Sequence, residues 1–117
     1  MKASREMDAL VAQKIMGWEM VTESEYGLCW KVPQPDGRFE FLSDESAPHY
    51  STNMMAAWLV VEKLSDTHGF FLGKHGTPGR PPWCCRFGAE TAVTEGHSAP
   101  LTICVAALKA FGVKTPD

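Results

Sequence analysis

The stretch HSAPLTICVAALKAFGV, residues 97–113, decides the fold of this chain of 117 residues. A run so rich in apolar residues is compatible with a membrane anchor, a reactive-cysteine site or a core helix. It is shorter than the ~20 apolar residues that a membrane span needs, and it contains a lysine. Ser98 is suited to cap a helix, Pro100 to occupy its first turn and Gly112 to end it. The pattern therefore predicts a core helix in which Cys104 is buried as a small hydrophobe rather than exposed as a reactive thiol.

Two further helices are predicted earlier in the chain. The first begins after Ser4 as its cap, carries apolar residues at spacings of three and four, and stops at Gly17. The second, in STNMMAAWLVVEKL, has Ser51 or Thr52 as its cap. Its predicted apolar stripe consists of Met54, Ala57, Trp58, Val61 and Leu64. We expect both helices to lie against a core with these apolar faces.

Strand-like segments lie between the helices. LCWKV and RFEFL, residues 28–32 and 38–42, alternate in hydropathy around the turn sequence PQPDG, which predicts a β-hairpin. A second hairpin is predicted from GFFLGK and PWCCRF, residues 69–74 and 82–87, which flank a loop rich in proline and glycine. TAVTE, residues 91–95, is a candidate for a further short strand.

The order helix, hairpin, helix, hairpin, helix predicts an α+β fold. Three amphipathic helices are more than one face of a small sheet accommodates, so we expect helices on both faces of the sheet. This is a three-layer α-β-α sandwich, with three helices and a small antiparallel sheet of about four strands. The length suffices for one domain with its own core, and we expect residues 1–117 to form a single domain.

The composition is that of an ordinary soluble globular protein, with 44% apolar residues, 21% charged residues and a net charge of −3. Charges interrupt the apolar pattern of the first 18 residues, so we expect no signal peptide and a cytoplasmic location. The four cysteines are scattered without a CxxC pair, which favours free thiols. Cys84 and Cys85 are adjacent in a predicted strand and point to opposite faces, so we expect one buried and one half-exposed.

Neither metal binding nor catalysis is predicted. His68, His75, Cys84, Cys85 and His97 fall within thirty positions, but no two of them have the spacing of two to four residues that is usual for a zinc site. We therefore expect no metal and no cofactor.

Asp44, His49 and Ser51 have the residue types of a catalytic triad, in which serine is the nucleophile and histidine is the base. All three lie in one predicted loop, whereas the members of a triad usually come from separate elements. Helix capping explains Ser51 more simply, and we expect no catalytic residues and no enzyme.

The basic lobe, Thr67–Ala89, is the strongest candidate for a site. It holds three of the 11 basic residues and two histidines but none of the 14 acidic residues. Aromatic side chains with arginine are typical of protein contact surfaces. The candidate contact residues are Phe70, Phe71, Lys74, His75, Arg80, Trp83 and Arg86. The alternative is that the aromatics belong to the core and the charges are merely solvated.

Nucleic acid and membranes are not expected partners. Base-stacking aromatics normally lie beside many cations on an exposed sheet face, whereas each of the four tryptophans lies in an apolar pattern that is typical of a core. No run of residues is long enough for a membrane span.

Three stretches are distinctive together, and they are REMDALVAQKIMGW, HYSTNMMAAWLVVEKL and SAPLTICVAALKAFGV, residues 5–18, 49–64 and 98–113. In their order and spacing they resemble the phage ABA-sandwich domain family of small bacteriophage and prophage proteins. The resemblance implies a three-layer sandwich and a phage or prophage origin. It implies no catalytic residues, because the family has no assigned activity.

The leading functional hypothesis is a non-enzymatic phage accessory protein that binds a bacterial host protein, an immune effector, and blocks it sterically as anti-CRISPR proteins do. The first alternative is a binder that sequesters an anionic signalling nucleotide. Lys74, Arg80 and Arg86 would then pair with phosphates, and helix N-termini near Ser51 or Ser98 would add amide donors. The second alternative is a structural or assembly protein of the virion. A homodimer is the commonest symmetric assembly for any of these.

Overall fold

The computed structural model describes residues 2–23, 25, 27–88 and 93–115. The helical elements are α1 (Arg5–Leu10), a π-helical continuation of α1 (Val11–Ile15), a 3-10 turn (Asp44–Ser46), α2 (Met54–Ser65) and α3 (Ala99–Ala110). The strands are β1 (Glu19–Glu23), β2 (Gly27–Pro33), β3 (Phe39–Ser43), β4 (Phe70–Lys74), β5 (Trp83–Phe87) and β6 (Thr94–Gly96). The α+β sandwich with three helices that the sequence predicts is confirmed.

The strands form two separate antiparallel sheets, in the orders β1-β2-β3 and β4-β5-β6. Six described strands in two sheets replace the predicted single sheet of about four. Both predicted hairpins are confirmed as the pairs β2-β3 and β4-β5. β1 is not predicted by the sequence, because EMVTE has acidic ends and little alternation. The candidate strand 91–95 contributes its last two residues to β6, and residues 91 and 92 lie outside the described residues.

The start of α1 and both ends of α3 are where the sequence predicts them, whereas α1 changes to a π-helical segment at Val11 before the chain reaches Gly17. Ser4 Oγ accepts a hydrogen bond from the Met7 N–H at 3.1 Å. Ser98 Oγ accepts one from the Leu101 N–H at 3.4 Å. Gly112 follows α3 with a φ of 69°, a left-handed conformation that glycine adopts without strain. Local capping signals therefore define both helices.

α3 is the centre of the core. Residues 102–108 are all buried, including Cys104, which confirms the predicted core helix. α3 packs against α2, β5, β6 and the π-helical segment. The approach of β6 is so close that a Cβ at Gly96 would overlap the side chain of Thr102.

α2 begins one or two residues later than predicted, after Asn53. Asn53 Oδ1 caps the helix by accepting from the Ala56 N–H at 3.0 Å. Neither Ser51 nor Thr52 is the cap. The Ser51 hydroxyl and N–H both donate to Asp8 instead, so the side chain of Ser51 is already engaged.

The predicted apolar stripe of α2 is partly wrong. Met54 and Trp58 are exposed, while Ala57, Val61 and Leu64 are buried as expected. The buried face of α2 consists of Ala56, Ala57, Val60, Val61 and Leu64. These small and β-branched side chains let α2 approach α3 closely, which leaves the larger side chains at the margin of the contact.

Cys84 and Cys85 are both buried, so the expectation that one is half-exposed is wrong. Cys85 faces the helices, and Cys84 points to the other face of the sheet. The ring of Phe71 lies over Gly73, close to the Cys84 sulfur, and covers that thiol. A Cβ at Gly73 would lie 2.9 Å from the Phe71 ring, so a larger residue there would displace this exposed ring.

Candidate functional site

The predicted contact residues of the second hairpin lie on both faces of its sheet. Phe70 pairs with Phe87 across β4 and β5, and their ring centroids are 5.1 Å apart. Phe87 is fully buried and Phe70 packs at the border of the core. Phe71 alternates to the opposite face and is exposed. The two phenylalanine side chains therefore point to opposite faces of the sheet.

Lys74 and Trp83 meet at the loop end of the hairpin. They pair across β4 and β5, and Lys74 Nζ lies 5.4 Å from the centroid of the Trp83 ring. This is the distance of a cation–π interaction. Lys74 is exposed and Trp83 is half-buried, so the pair combines a cation with a partly accessible aromatic ring.

Arg80 and His75 converge on Glu95 of β6. Arg80 Nη2 donates a charge-assisted hydrogen bond to Glu95 Oε1, and His75 Nε2 lies 3.9 Å from the same oxygen. Glu95 lies beyond the basic lobe in the sequence, but β6 pairs with β5 and carries Glu95 to it. Glu95 therefore neutralises part of the positive charge that the sequence of the basic lobe alone indicates.

Arg86 and Phe71 form a cross-strand pair beside a shallow depression at the base of the hairpin. We call this the hairpin depression; it has a volume of about 160 Å³. It is lined by Gly69, Phe70, Phe71, Arg86 and Gly88. It is too small for a drug-sized ligand, since pockets for such ligands typically enclose about 300–1,000 Å³.

A second surface lies on α2 and includes Met54 and Trp58, two residues of the predicted core stripe. The α2 face consists of the exposed side chains Met54, Met55, Trp58 and Leu59. With Glu62 they line an open groove of about 400 Å³. Met55 is 83% exposed and Trp58 is 44% exposed, which is unusual for large apolar side chains of a helix. The sequence signal was present, because apolar residues surround α2 and exceed what one buried face needs.

The α2 face and the hairpin depression are neighbours. The rings of Trp58 and Phe70 meet edge to face, with centroids 6.0 Å apart and an interplanar angle of 83°. Phe70 also lines the hairpin depression. Phe70 therefore contacts the α2 face through Trp58 and lines the hairpin depression together with Arg86.

Ser51 belongs to a buried polar contact and not to a catalytic site. Its hydroxyl donates to Asp8 Oδ1 at 2.7 Å and its N–H donates to the same oxygen at 2.8 Å. Arg5 Nη1 donates to Asp8 Oδ2 at 3.2 Å. Ser51 is 1% exposed, so its hydroxyl is inaccessible to a substrate. This contact fastens α1 to the loop before α2.

His49 and Asp44 lie near this contact but do not act on Ser51. His49 Nδ1 accepts from Arg5 Nη1 at 3.2 Å, and the ring of His49 is exposed. Asp44 Oδ1 accepts from Trp30 Nε1 at 3.2 Å. The serine donates to a carboxylate and the histidine faces an arginine, which is not the arrangement of a nucleophile with its base.

The four cysteines are free and buried. Burial raises the pKa of Cys85 to about 12, and the neighbouring Cys84 thiol adds to the effect. Burial likewise raises the pKa of the Cys104 thiol above its ordinary value. These thiols are protonated at neutral pH, and a protonated thiol is a poor nucleophile and a poor metal ligand.

Neither a metal cluster nor a membrane span is found in the part of the chain that the structure describes. No three histidine, cysteine or acidic side chains there are grouped closely enough to hold a metal ion. No helix among the same residues has the length and apolar character to cross a bilayer.

Comparisons with known proteins agree with this fold. The family model for the Phage ABA sandwich domain matches residues 9–108. The chain is also similar to a phage protein from Bacillus cereus ATCC 14579, known from a crystal structure at 2.0 Å. The two are 27% identical and superpose with a TM-score of 0.70 over 99% of this chain and 93% of that chain. No curated protein matches the sequence. The chain belongs to the phage ABA sandwich domain family.

Proposed function

We propose that this chain is a phage- or prophage-encoded accessory protein that binds a bacterial host protein, a component of host defence, and blocks it sterically without catalysis. Family membership and the similarity to a phage protein support the phage origin. The proposed binding surface joins the α2 face to the hairpin depression. Its centre is Trp58 and its polar margin is Arg86.

The observation that carries the proposal is the exposure of Met55 and Trp58 on one helix face. Fully burying a side chain of this size contributes about 1.5–3 kcal/mol. Burial of Met55 and Trp58 against a partner would therefore contribute substantially to the free energy of binding. Tryptophan and arginine are the residues most enriched where protein contacts are energetically important. Methionine adapts its shape to a partner surface because its side chain is unbranched and flexible.

The hairpin supplies the charged margin of this surface. Lys74 lies over Trp83 on the face of the sheet that carries Phe70, and Arg86 lies beside Phe71 on the opposite face, at the hairpin depression. Cations at the margin of an apolar contact favour partners with an acidic rim and accelerate association. The partner in this proposal therefore presents an apolar groove with acidic residues beside it.

Sequestration of a nucleotide has less support. Arg80, one of the three cations predicted to hold phosphates, is bound to Glu95, and Ser51 does not lie at a helix N-terminus. The hairpin depression is also too small for a nucleotide. We therefore place the protein-binding hypothesis first.

The experiment is a phage-protection assay combined with affinity capture from host lysate. We expect the wild-type chain to protect phage and to enrich one host complex, and Met55→Glu and Trp58→Ala to lose both activities. Leu28→Glu is the matched control, because Leu28 is an exposed apolar residue of the other sheet and lies outside the proposed surface. Circular dichroism verifies that each variant folds.

A second comparison separates the helix from the hairpin. The double variant Lys74→Glu with Arg86→Glu reverses the charged margin and leaves the Arg80 ion pair intact. We expect it to slow association and to leave the captured complex the same. Full protection by Met55→Glu and Trp58→Ala would contradict the proposed surface, and capture of no host complex by the wild type would contradict the proposed function.

A further inference from the structure

β3 is an edge strand with two exposed aromatic side chains on one face. Phe39 is 53% exposed and Phe41 is 45% exposed. The register with β2 places Phe39 opposite Pro33 and Phe41 opposite Lys31, and Lys31 Nζ lies 4.1 Å from the centroid of the Phe39 ring. In the described residues, β3 has a hydrogen-bonded neighbour on its β2 side alone. An exposed aromatic edge strand is a template for pairing with another chain.

The backbone of β3 offers its hydrogen-bonding groups at this open edge. The Gln34 N–H donates to the Arg38 carbonyl at 2.8 Å, which makes residues 34 and 38 a hydrogen-bonded pair of the ladder. Such pairs alternate with pairs that make no mutual hydrogen bonds, and Pro33 has no N–H to give. Phe39, Phe41 and Ser43 therefore direct their N–H and C=O groups away from β2.

We infer that a second copy of this chain pairs with β3, antiparallel, about a twofold axis at Phe41, so that the two sheets become one continuous sheet. Phe41 of each copy then faces Phe41 of the other, and Phe39 of each faces Ser43 of the other. The backbone N–H and C=O groups of Phe39, Phe41 and Ser43 point away from β2. They can therefore form the hydrogen bonds between the two copies without any rearrangement of the strand. A twofold contact of this kind is self-complementary and closes the open edge of both copies.

The charges of β3 select this register among the neighbouring ones. A shift of the axis to Glu40 would place the two Glu40 carboxylates directly opposite each other. A shift to Leu42 would place Glu40 opposite Asp44. Like charges that face each other across a sheet are destabilising, whereas the axis at Phe41 places Glu40 opposite Leu42.

The edge also has room for a second strand. A groove of about 440 Å³ runs along β3 and is lined by residues 39–43 and Cys29. The groove contains no residue of the α2 face. Pairing through β3 is therefore independent of the proposed function and does not use its surface.

Sedimentation velocity of the purified full chain tests the inference. We expect the wild-type chain to sediment as a dimer, with twice the monomer mass of 12.9 kDa, as its concentration is raised. Phe41→Lys places two lysines at the twofold axis, and we expect it to weaken the association at least about tenfold. Leu28→Lys is the control, because it adds the same charge to an exposed position on the central strand, and it is expected to remain dimeric. A wild-type monomer at all concentrations, or a dimer of Phe41→Lys as stable as the wild type, would overturn the inference.

Disulfide cross-linking tests the register. Residues 40 and 42 of opposite copies form a pair without mutual hydrogen bonds, with Cα atoms about 4.5 Å apart, which a disulfide can span. We expect a cross-link in a mixture of Glu40→Cys and Leu42→Cys chains, and none in either variant alone or in the wild-type chain, whose cysteines are buried. Cross-linking of Glu40→Cys to itself or of Leu42→Cys to itself would overturn the register, and an absence of cross-links in the mixture would overturn the pairing. These measurements use no host protein, so their outcome is separate from that of the proposed function.

Discussion

The substitution Asp8→Ala removes the acceptor that joins α1 to the loop before α2. Asp8 Oδ1 accepts both the N–H and the hydroxyl of Ser51, at 2.8 Å and 2.7 Å, and Asp8 Oδ2 accepts from Arg5 at 3.2 Å. Ser51 is 1% exposed and Asp8 is 4% exposed, so both partners of this contact are buried. The substitution therefore leaves the buried Ser51 N–H without an acceptor, and the Ser51 hydroxyl keeps only the more distant Ser4 carbonyl, at 3.4 Å.

The magnitude follows from those two donors. A buried donor without an acceptor costs about 1–3 kcal/mol of the free energy of unfolding. The unpaired Ser51 N–H and the weakened bond of the hydroxyl give an expected loss of about 2–4 kcal/mol, to which the pair with the 40% exposed Arg5 adds little. The stability of a single domain is typically about 5–15 kcal/mol, so the variant loses a large fraction of it. For a chain of this size we expect Tm to fall by about 8–16 °C.

Urea unfolding followed by circular dichroism measures this loss. Asp8→Asn is the matched control, because its amide oxygen still accepts from Ser51, and we expect a loss of about 1–2 kcal/mol. Ser51→Ala and the double variant complete a cycle in which we expect a coupling of at least about 1 kcal/mol. A loss below about 1 kcal/mol for Asp8→Ala, the size of an ordinary substitution, would refute the reasoning. Strict additivity of Asp8→Ala and Ser51→Ala would refute it as well.

Three further predictions concern tight packing and the buried thiols. Gly96→Ala places a Cβ in overlap with α3, and we expect urea unfolding to show a loss of about 1–3 kcal/mol, against almost none for Gly76→Ala in an open loop. Gly73→Ala displaces the Phe71 ring from its place beside Cys84. We therefore expect one thiol of this variant to react with Ellman's reagent at neutral pH, while the wild-type thiols react only on unfolding. Equal reactivity of the two chains would contradict the shielding of Cys84 by Phe71. Burial raises the pKa of Cys85 to about 12 from 9.0, so the unfolded chain releases this proton first as the pH rises. The free energy of unfolding is then constant below about pH 8 and falls above about pH 9, by up to ~1.4 kcal/mol per pH unit for each such thiol. A urea midpoint that is unchanged at about pH 10.5 would contradict this loss of stability with rising pH.

The parts of the fold that local sequence determines were predictable. Ser4, Ser98 and Gly112 act within one turn of the backbone that they cap or end, so their residue types alone indicate the helix boundaries. The hairpin β2-β3 is likewise defined by alternation and by a turn that contains Gly37, which has a φ of 86°.

The parts that depend on tertiary partners were not predictable from the sequence. Asp8 and Ser51 are 43 residues apart, and neither residue type indicates the other. Glu95 reaches Arg80 because β6 pairs with β5, which a count of consecutive charges does not include. Trp58 lies on the surface because smaller side chains of α2 fit better against α3. The candidate site therefore includes the exposed face of α2 as well as the hairpin.

α3 limits where this chain can change without losing its fold. Residues 102–108 are all buried, so the segment that decides the fold presents almost nothing to the surroundings. Substitutions there are limited by packing, whereas the exposed side chains of α2 and β3 can change with little effect on folding. The sandwich can thus keep its core while its surface chemistry is replaced.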